Sequence, residues 1–371
     1  MNYFLSIIML LLSGLLHSQE YYMLVGTYDS PKSEGIYVFR FNTKDGTTRE
    51  ISHFKTSNPS FLTLSPNEKY VYAVNENADT NGKGGSVSSF RFNKKNGSLT
   101  LLNSQSSEGN HPCYITTDKT GKWLLAGNYS SGNFSVFPVR KGQIGKVKVV
   151  IQHEGSGPDS TRQRSPHVHG IFMRNDNKGF YVTDLGTDKI MNYSFDKSKG
   201  NVSPLSPPFF NIQPGSGPRH LAIHPSEFFL YLLNELSGTL NVINPDNRVL
   251  PVVQSITTLP ASHTGNAGSA DIHLSPDARF LYCTNRGKSN SIAIFSIDST
   301  GKASPAGFTQ TYGEKPRNFA IDPTGSYLLV ANQESNEIVI FKRNKLTGQL
   351  EYTGKKIAVG KPVCIKWAGV N

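Results

Sequence analysis

Two arginines, a glutamate and a histidine stand at matching points of a repeated pattern, and together they suit chemistry on an anionic ester or lactone. Arg219 and Glu235 lie sixteen residues apart (235 − 219) in GPRHLAIHPSEFFLYLLNEL. The same offset relates His169 to Leu185 (185 − 169) and Ala270 to Arg286 (286 − 270), so His169 and Arg286 hold equivalent points in neighbouring units. A guanidinium can hold a carboxylate or phosphate through paired N–H donors. A second one can stabilise the oxyanion of a tetrahedral intermediate. An imidazole or carboxylate can take a proton from attacking water, and the spacing leaves open whether His169 or Glu235 does so. A purely structural alternative is a set of ion pairs fixing neighbouring units, and it is strongest for Arg219 with Glu235. His167 lies two residues before His169 on the same strand face, but the offset selects His169. His220, His224 and His273 also fall in first strands and read as satisfied structural polar groups. No nucleophile elbow, zinc-protease helix motif, phosphate loop or dinucleotide fingerprint is present, and no ligand cluster argues for a metal or cofactor.

The elements that must position these residues follow from the same offset. It also joins Ser60 to Glu76, Cys113 to Tyr129 and Arg317 to Gln333. Each first position opens an apolar run, and each second position ends another. The second positions follow Asn75, Asn128, Asp184, Asn234, Asn285 and Asn332. Successive first positions are 46 to 56 residues apart, the mark of a radial β repeat whose single unit cannot bury both faces alone. In the unit at Pro218, PRHLAIH, FFLYLLNE and TLNVINP read as three strands joined by turns, with a weaker fourth through VLPVVQSI. Six units are complete. The head, YYMLVGTY and GIYVFRF, lacks a first strand, and the tail PVCIKWAG supplies one. The expected fold is therefore all-β: a seven-bladed β-propeller closed by strands from both termini, which removes exposed sheet edges. First strands line the central channel, so both ends of each sixteen-residue unit converge on one mouth. One ring there reads Ser60, Cys113, His169, Arg219, Ala270, Arg317 and Val363. The other reads Thr27, Glu76, Tyr129, Leu185, Glu235, Arg286 and Gln333.

Residues 20–371 form a single domain, with no linker or low-complexity break. Residues 1–19 carry the apolar run FLSIIMLLLSGLL and read as a signal peptide cut near Ser18 or Gln19, which places the protein in the periplasm or outside the cell. No cysteine follows the run, which argues against a lipoprotein anchor, and no membrane span is expected after cleavage. Cys113, Cys283 and Cys364 lie in apolar strands of different units and read as buried single thiols. The formal net charge is +11, much of it from lysines in outer turns such as FNKKNGSL and FKRNKLTGQL. Without a basic stripe interleaved with aromatics, nucleic acid is not an expected partner, whereas the overall field favours small anionic substrates.

NPSFLTLSP, NHPCYITTD, GPRHLAIHP, NELSGTLNV, SADIHLSPDARFLYCTNRG and KPRNFAIDPTGSYLLVANQ resemble the seven-bladed propeller lactonases, which include bacterial 6-phosphogluconolactonase and fungal carboxy-muconate cyclase. The resemblance runs from VGTYDS to GKPVCIKW, and the GPRH and NEL pair is its most specific part. It implies hydrolysis of a sugar lactone without a required cofactor. The cyclase's proposed active residues, a His, two Arg and a Glu, correspond to His169, Arg219, Glu235 and Arg286. On that pattern His169 or Glu235 activates water, Arg219 polarises the carbonyl and Arg286 holds the anionic tail. A muconate-type cycloisomerase and a non-catalytic exported binding propeller are the alternatives. Export also departs from the cytosolic setting of the phosphorylated lactone.

Overall fold

A computed structural model of the protein describes residues 20–247 and 249–370; the leader expected over residues 1–19 lies outside them. The repeat folds into seven antiparallel sheets. Blade 1 joins Pro362–Gly369 to Glu20–Thr27, Ile36–Asn42 and Thr48–Phe54, in that order from the channel outward. Blade 2 begins at Leu62–Leu64, blade 3 at Pro112–Thr117, blade 4 at Val168–Met173, blade 5 at Pro218–Ile223, blade 6 at Ser269–Leu274 and blade 7 at Pro316–Ile321. Each continues through three more strands, and blade 3 adds a short strand, Gln143–Ile144, paired to Asn133–Arg140. The expected all-β seven-bladed propeller is what forms.

Burial explains why these segments become strands of this kind. Trp123–Asn128, Gly179–Asp184, Phe280–Asn285 and Tyr327–Asn332, the second strands of their blades, are buried at every residue. A strand covered on both faces reads as a continuous apolar run, as these do. The outermost strands face water on one side and alternate, as in Val252–Thr257. Between blades the two inward faces interlock. Phe280, Tyr282, Ile292 and Ile294 of blade 6 meet Phe319, Leu328, Val330 and Phe341 of blade 7. Each such side chain contributes about 1.5–3 kcal/mol when fully buried.

Closure occurs as the sequence predicts. Pro362–Gly369 is the innermost strand of blade 1 and pairs antiparallel with Glu20–Thr27, with Val25 opposite Ile365. It packs between the first strands of blades 7 and 2. The ring position expected for Thr27 belongs instead to Tyr28. Thr27 pairs with Pro362 as Asn128 pairs with Pro112 and Asn332 with Pro316. Thr27 thus takes the Asn-like position, and Tyr28 takes the ring position. The sixteen-residue count could not be made across the join between the two termini.

Candidate functional site

In six of the seven blades the inner strand opens with an irregularity that aims side chains at the channel mouth. In blades 3, 4, 5 and 7 the pairing with the second strand skips one residue: Cys113, His169, Arg219 and Arg317. In blade 6 it skips Ala270 and Asp271. Such a bulge turns the strand locally and re-aims its side chains. In every blade but blade 4, where His167 stands, the residue two before the first position takes a left-handed φ: Asn58, His111, Lys315 and Lys361, with glycine at Gly217 and Gly268. Its carbonyl accepts the N–H of the second ring residue. Glu235 N donates to Gly217 O at 2.8 Å, Gln333 N to Lys315 O at 3.0 Å and Tyr28 N to Lys361 O at 3.0 Å. The sixteen-residue offset is the sequence trace of this bond.

A cavity of about 610 Å³ occupies this mouth. Its wall includes Tyr28, Glu76, Tyr129, Arg162, His169 and Glu235, together with Arg286, Lys315, Arg317 and Gln333. Glu235 is the centre of one side. Its Oε2 accepts Arg219 Nε at 2.9 Å and lies 2.9 Å from Arg286 Nη2. Its Oε1 accepts Arg162 Nη2 at 2.7 Å. Burial alone would raise the Glu235 carboxyl, but Arg286, Arg219 and Arg162, with His169, hold it well below the usual carboxylate range. Glu235 is therefore a fixed anion. Arg286 Nε also donates to Gly268 O at 2.8 Å, and Arg162 Nη2 reaches Tyr129 Oη at 3.2 Å.

Arg219 does not face the cavity. It is 1 % exposed, lies beneath Glu235 and donates through Nη1 to the Ala270 carbonyl. Burial, followed by the nearby Arg286 and Arg317 charges, pulls it down to about 10, so it stays protonated at neutral pH. His169 does line the cavity. Its ring meets Tyr129 edge-on at 5.5 Å and His220 at 5.3 Å. Among the described residues its only side-chain hydrogen-bonding partner is the Cys113 thiol, 3.9 Å from Nδ1. Burial, then Arg219 and His220, lower its pKa well below 6.5, so the imidazole is neutral at pH 7. The four residues selected by spacing thus fall in one sector: Arg219 and Arg286 bonded to Glu235, and His169 beside them.

Sequence reasoning left out several wall residues. Glu76, Tyr129, Arg317 and Gln333 already stood at ring positions, and that was the available signal. Arg162 comes from the long connection between Gln152 and Val168, outside the offset, and nothing in its sequence context marked it. Across the mouth, Ser60 Oγ and Tyr28 Oη both donate to Glu76 Oε2, the latter at 2.8 Å. Deeper in the channel, Asp271 binds His220 Nδ1 at 2.7 Å and His273 Nε2 at 2.9 Å. That bond orients His220 so that its Nε2 lies 3.4 Å from Arg219 Nη1. His224 pairs instead with Ser226 on the outer surface. Among the described residues, no group of three or more His, Cys, Asp or Glu side chains is placed to hold a metal ion.

Comparison with known proteins places this geometry in context. Residues 22–367 match the family described as "Lactonase, 7-bladed beta-propeller". A 6-phosphogluconolactonase of Formosa agariphila is 39% identical over 347 residues, covering 91% of this chain and 96% of that protein. A 6-phosphogluconolactonase of Bacillus subtilis is 35% identical over 353 residues, covering 94% and 98%. The structure of the Pseudomonas aeruginosa periplasmic gluconolactonase PpgL superposes with a TM-score of 0.89 at 35% identity, covering 95% of this chain and 100% of that one.

Proposed function

We propose that this chain, which belongs to the seven-bladed β-propeller lactonase family, hydrolyses an anionic sugar lactone at the mouth of its channel. One observation carries the reading. Among the described residues, a neutral imidazole and four cationic side chains, Arg162, Arg286, Lys315 and Arg317, face one cavity lined by two carboxylates, Glu76 and Glu235. In the reaction, water attacks the lactone carbonyl carbon while its proton passes to the His169 ring. Arg286 and Arg162, already aligned by Glu235, present their remaining N–H groups to the oxyanion. When the intermediate collapses, the ring C–O bond breaks and the imidazolium returns its proton to the leaving alkoxide. The product is the open hydroxy acid.

The charge pattern supports His169 as the base. Glu235 is committed to three guanidiniums and would have to give up most of that stabilisation to accept a proton. Arg219 acts through Glu235 as a positioning residue. The relatives named 6-phosphogluconolactonase and periplasmic gluconolactonase support a sugar-acid lactone as substrate, and the latter, with the apolar leader, supports export. Mature protein from its host should then begin near Gln19 or Glu20; an intact Met1 would overturn export.

A panel of phosphorylated and plain sugar lactones tests the activity. Turnover should exceed the spontaneous rate, and Arg286→Ala should lower kcat by about two to three orders of magnitude, the scale of losing one oxyanion donor. Opening at the uncatalysed rate by folded wild-type protein would leave a binding propeller instead.

A further inference from the structure

Glu235 engages three of the guanidiniums at this mouth; the fourth stands apart. Among the described residues, Arg317 has no carboxylate within 4.0 Å and no hydrogen bond from its guanidinium. It is half-buried in the cavity wall, its Cζ 5.2 Å from the centroid of the Tyr28 ring. Tyr28 therefore does two things: its face carries the guanidinium, and its hydroxyl bonds Glu76. Lys315 shares this side of the wall, and among the described residues its only ion pair is an exposed 3.4 Å contact to Glu334. Such contacts are weak and readily exchanged.

A guanidinium in a cavity wall carries five N–H donors that must find acceptors as water is displaced. Arg286 and Arg162 have already directed part of their donor set at Glu235, Gly268 and Tyr129. Arg317 has directed none. Its planar fork matches a carboxylate or phosphate, which accepts two parallel bonds. Its place in the ring matters as well. Arg317 opens blade 7 and His169 opens blade 4, three blades away in a ring of seven, so the two face one another across the mouth. A lactone whose carbonyl lies at His169 and Arg286 would extend its far end toward Arg317.

We propose that Arg317, stacked on Tyr28 and flanked by Lys315, is the docking point for the substrate's phosphate or carboxylate. This rests on the lactonase reading for its substrate and moves the anion-holding role from Arg286 to Arg317. It also separates binding of the anion from stabilisation of the oxyanion, giving each its own guanidinium.

The experiment compares wild type, Arg317→Gln and Arg317→Lys on three lactones: glucono-δ-lactone, its 6-phosphate, and a glucaric acid lactone bearing a carboxylate. Arg317→Gln should lower the ratio of kcat/KM for a charged over the neutral lactone by about 10- to 100-fold, the scale of one charge-assisted hydrogen bond. The charged lactone showing the larger fall identifies the anion. Arg317→Lys, which keeps the charge and loses the fork, should fall between. Equal losses on charged and neutral lactones, or an unchanged ratio, would overturn the proposal. Calorimetric titration with inorganic phosphate gives a readout that needs no turnover. Arg317→Gln should weaken phosphate binding at least tenfold, and more than Arg286→Gln does. If no lactone is opened but this difference holds, the hydrolase reading fails and the anion site stands. If phosphate binds wild type and Arg317→Gln alike, the site fails whatever the activity.

Discussion

At the scale of single residues, His167 and His169 show how one side chain is held for structure while its neighbour stays available. His167 stacks on Tyr129 at 4.4 Å, its Nδ1 lies 2.9 Å from the Tyr129 carbonyl, and its backbone N–H donates to Asp184 at 2.8 Å. His169 has no such occupation beyond a long contact to a thiol. His169→Ala should therefore lower kcat by about two to four orders of magnitude, the usual range for removing a general base. His167→Ala should have a small effect beside it, and equal losses would refute the assignment. The pH profile gives a second check. Burial and nearby positive charge lower the His169 pKa well below 6.5, and its neutral form is the active one. The profile of kcat/KM should then be flat through pH 7 and fall only as the pH drops through that lowered value. An acid limb centred at or above 6.5 would point to another base. The selection of His169 was legible in the sequence through the offset. Its neutrality was not, because it arises from burial between blades and then from the charge on Arg219 in another blade.

At the scale of the strand, the Asn before the second ring position in blades 2, 3, 6 and 7 has a structural task that the sequence showed only as a recurrence. Asn75 Nδ2 donates to Ser57 O at 2.6 Å, Asn128 to Ser107 O at 2.8 Å, Asn285 to Thr258 O at 2.6 Å and Asn332 to Thr311 O at 3.0 Å. Each bond ties the end of the second strand to the chain entering the blade, and so holds the bulge that aims the first ring residue. Blade 4 carries Asp184 instead, which accepts from His167 N and binds His153 Nδ1 at 2.8 Å, so an acid and a histidine replace the amide there. Asn332→Ala removes a buried donor and leaves a carbonyl unsatisfied. It should cost about 1–3 kcal/mol of stability. Urea unfolding measures this, and an unchanged midpoint would show that the tie carries no load. Because Asn332 precedes Gln333 and pairs with Pro316, the neighbour of Arg317, the same variant should also weaken anion binding more than neutral-lactone binding.

At the scale of the whole molecule, the ring is held by a strand from the far end of the chain. Pro362–Gly369 supplies blade 1 with its channel strand and contacts blades 7 and 2. Removing residues 362–371 would expose the edge of Glu20–Thr27 and uncover Leu24, Val25 and Leu62, all fully buried in the closed ring. Unpaired apolar edges recruit other chains. The shortened protein should associate in light scattering and unfold at lower temperature. A monomer as heat-stable as the full chain would argue against the closing role. The site should be lost with it, since Tyr28 and Arg317 flank the seam.

The sequence by itself determined the fold, the closing scheme and most of the ring of candidate side chains, because each depends on local patterning. Apolar runs, turns and a fixed offset repeat within one blade, where neighbours in space are also neighbours in the chain. The tertiary structure decided what those side chains can do. Glu235 became a fixed anion only when Arg162, from a loop outside the repeat, and Arg286, from the next blade, closed on it. Arg219 was drawn beneath the floor by the Ala270 carbonyl of blade 6. Tyr28 replaced Thr27 at the mouth because the offset cannot be counted across two termini. Charge and protonation depend on distances between blades, and no spacing along one chain records them.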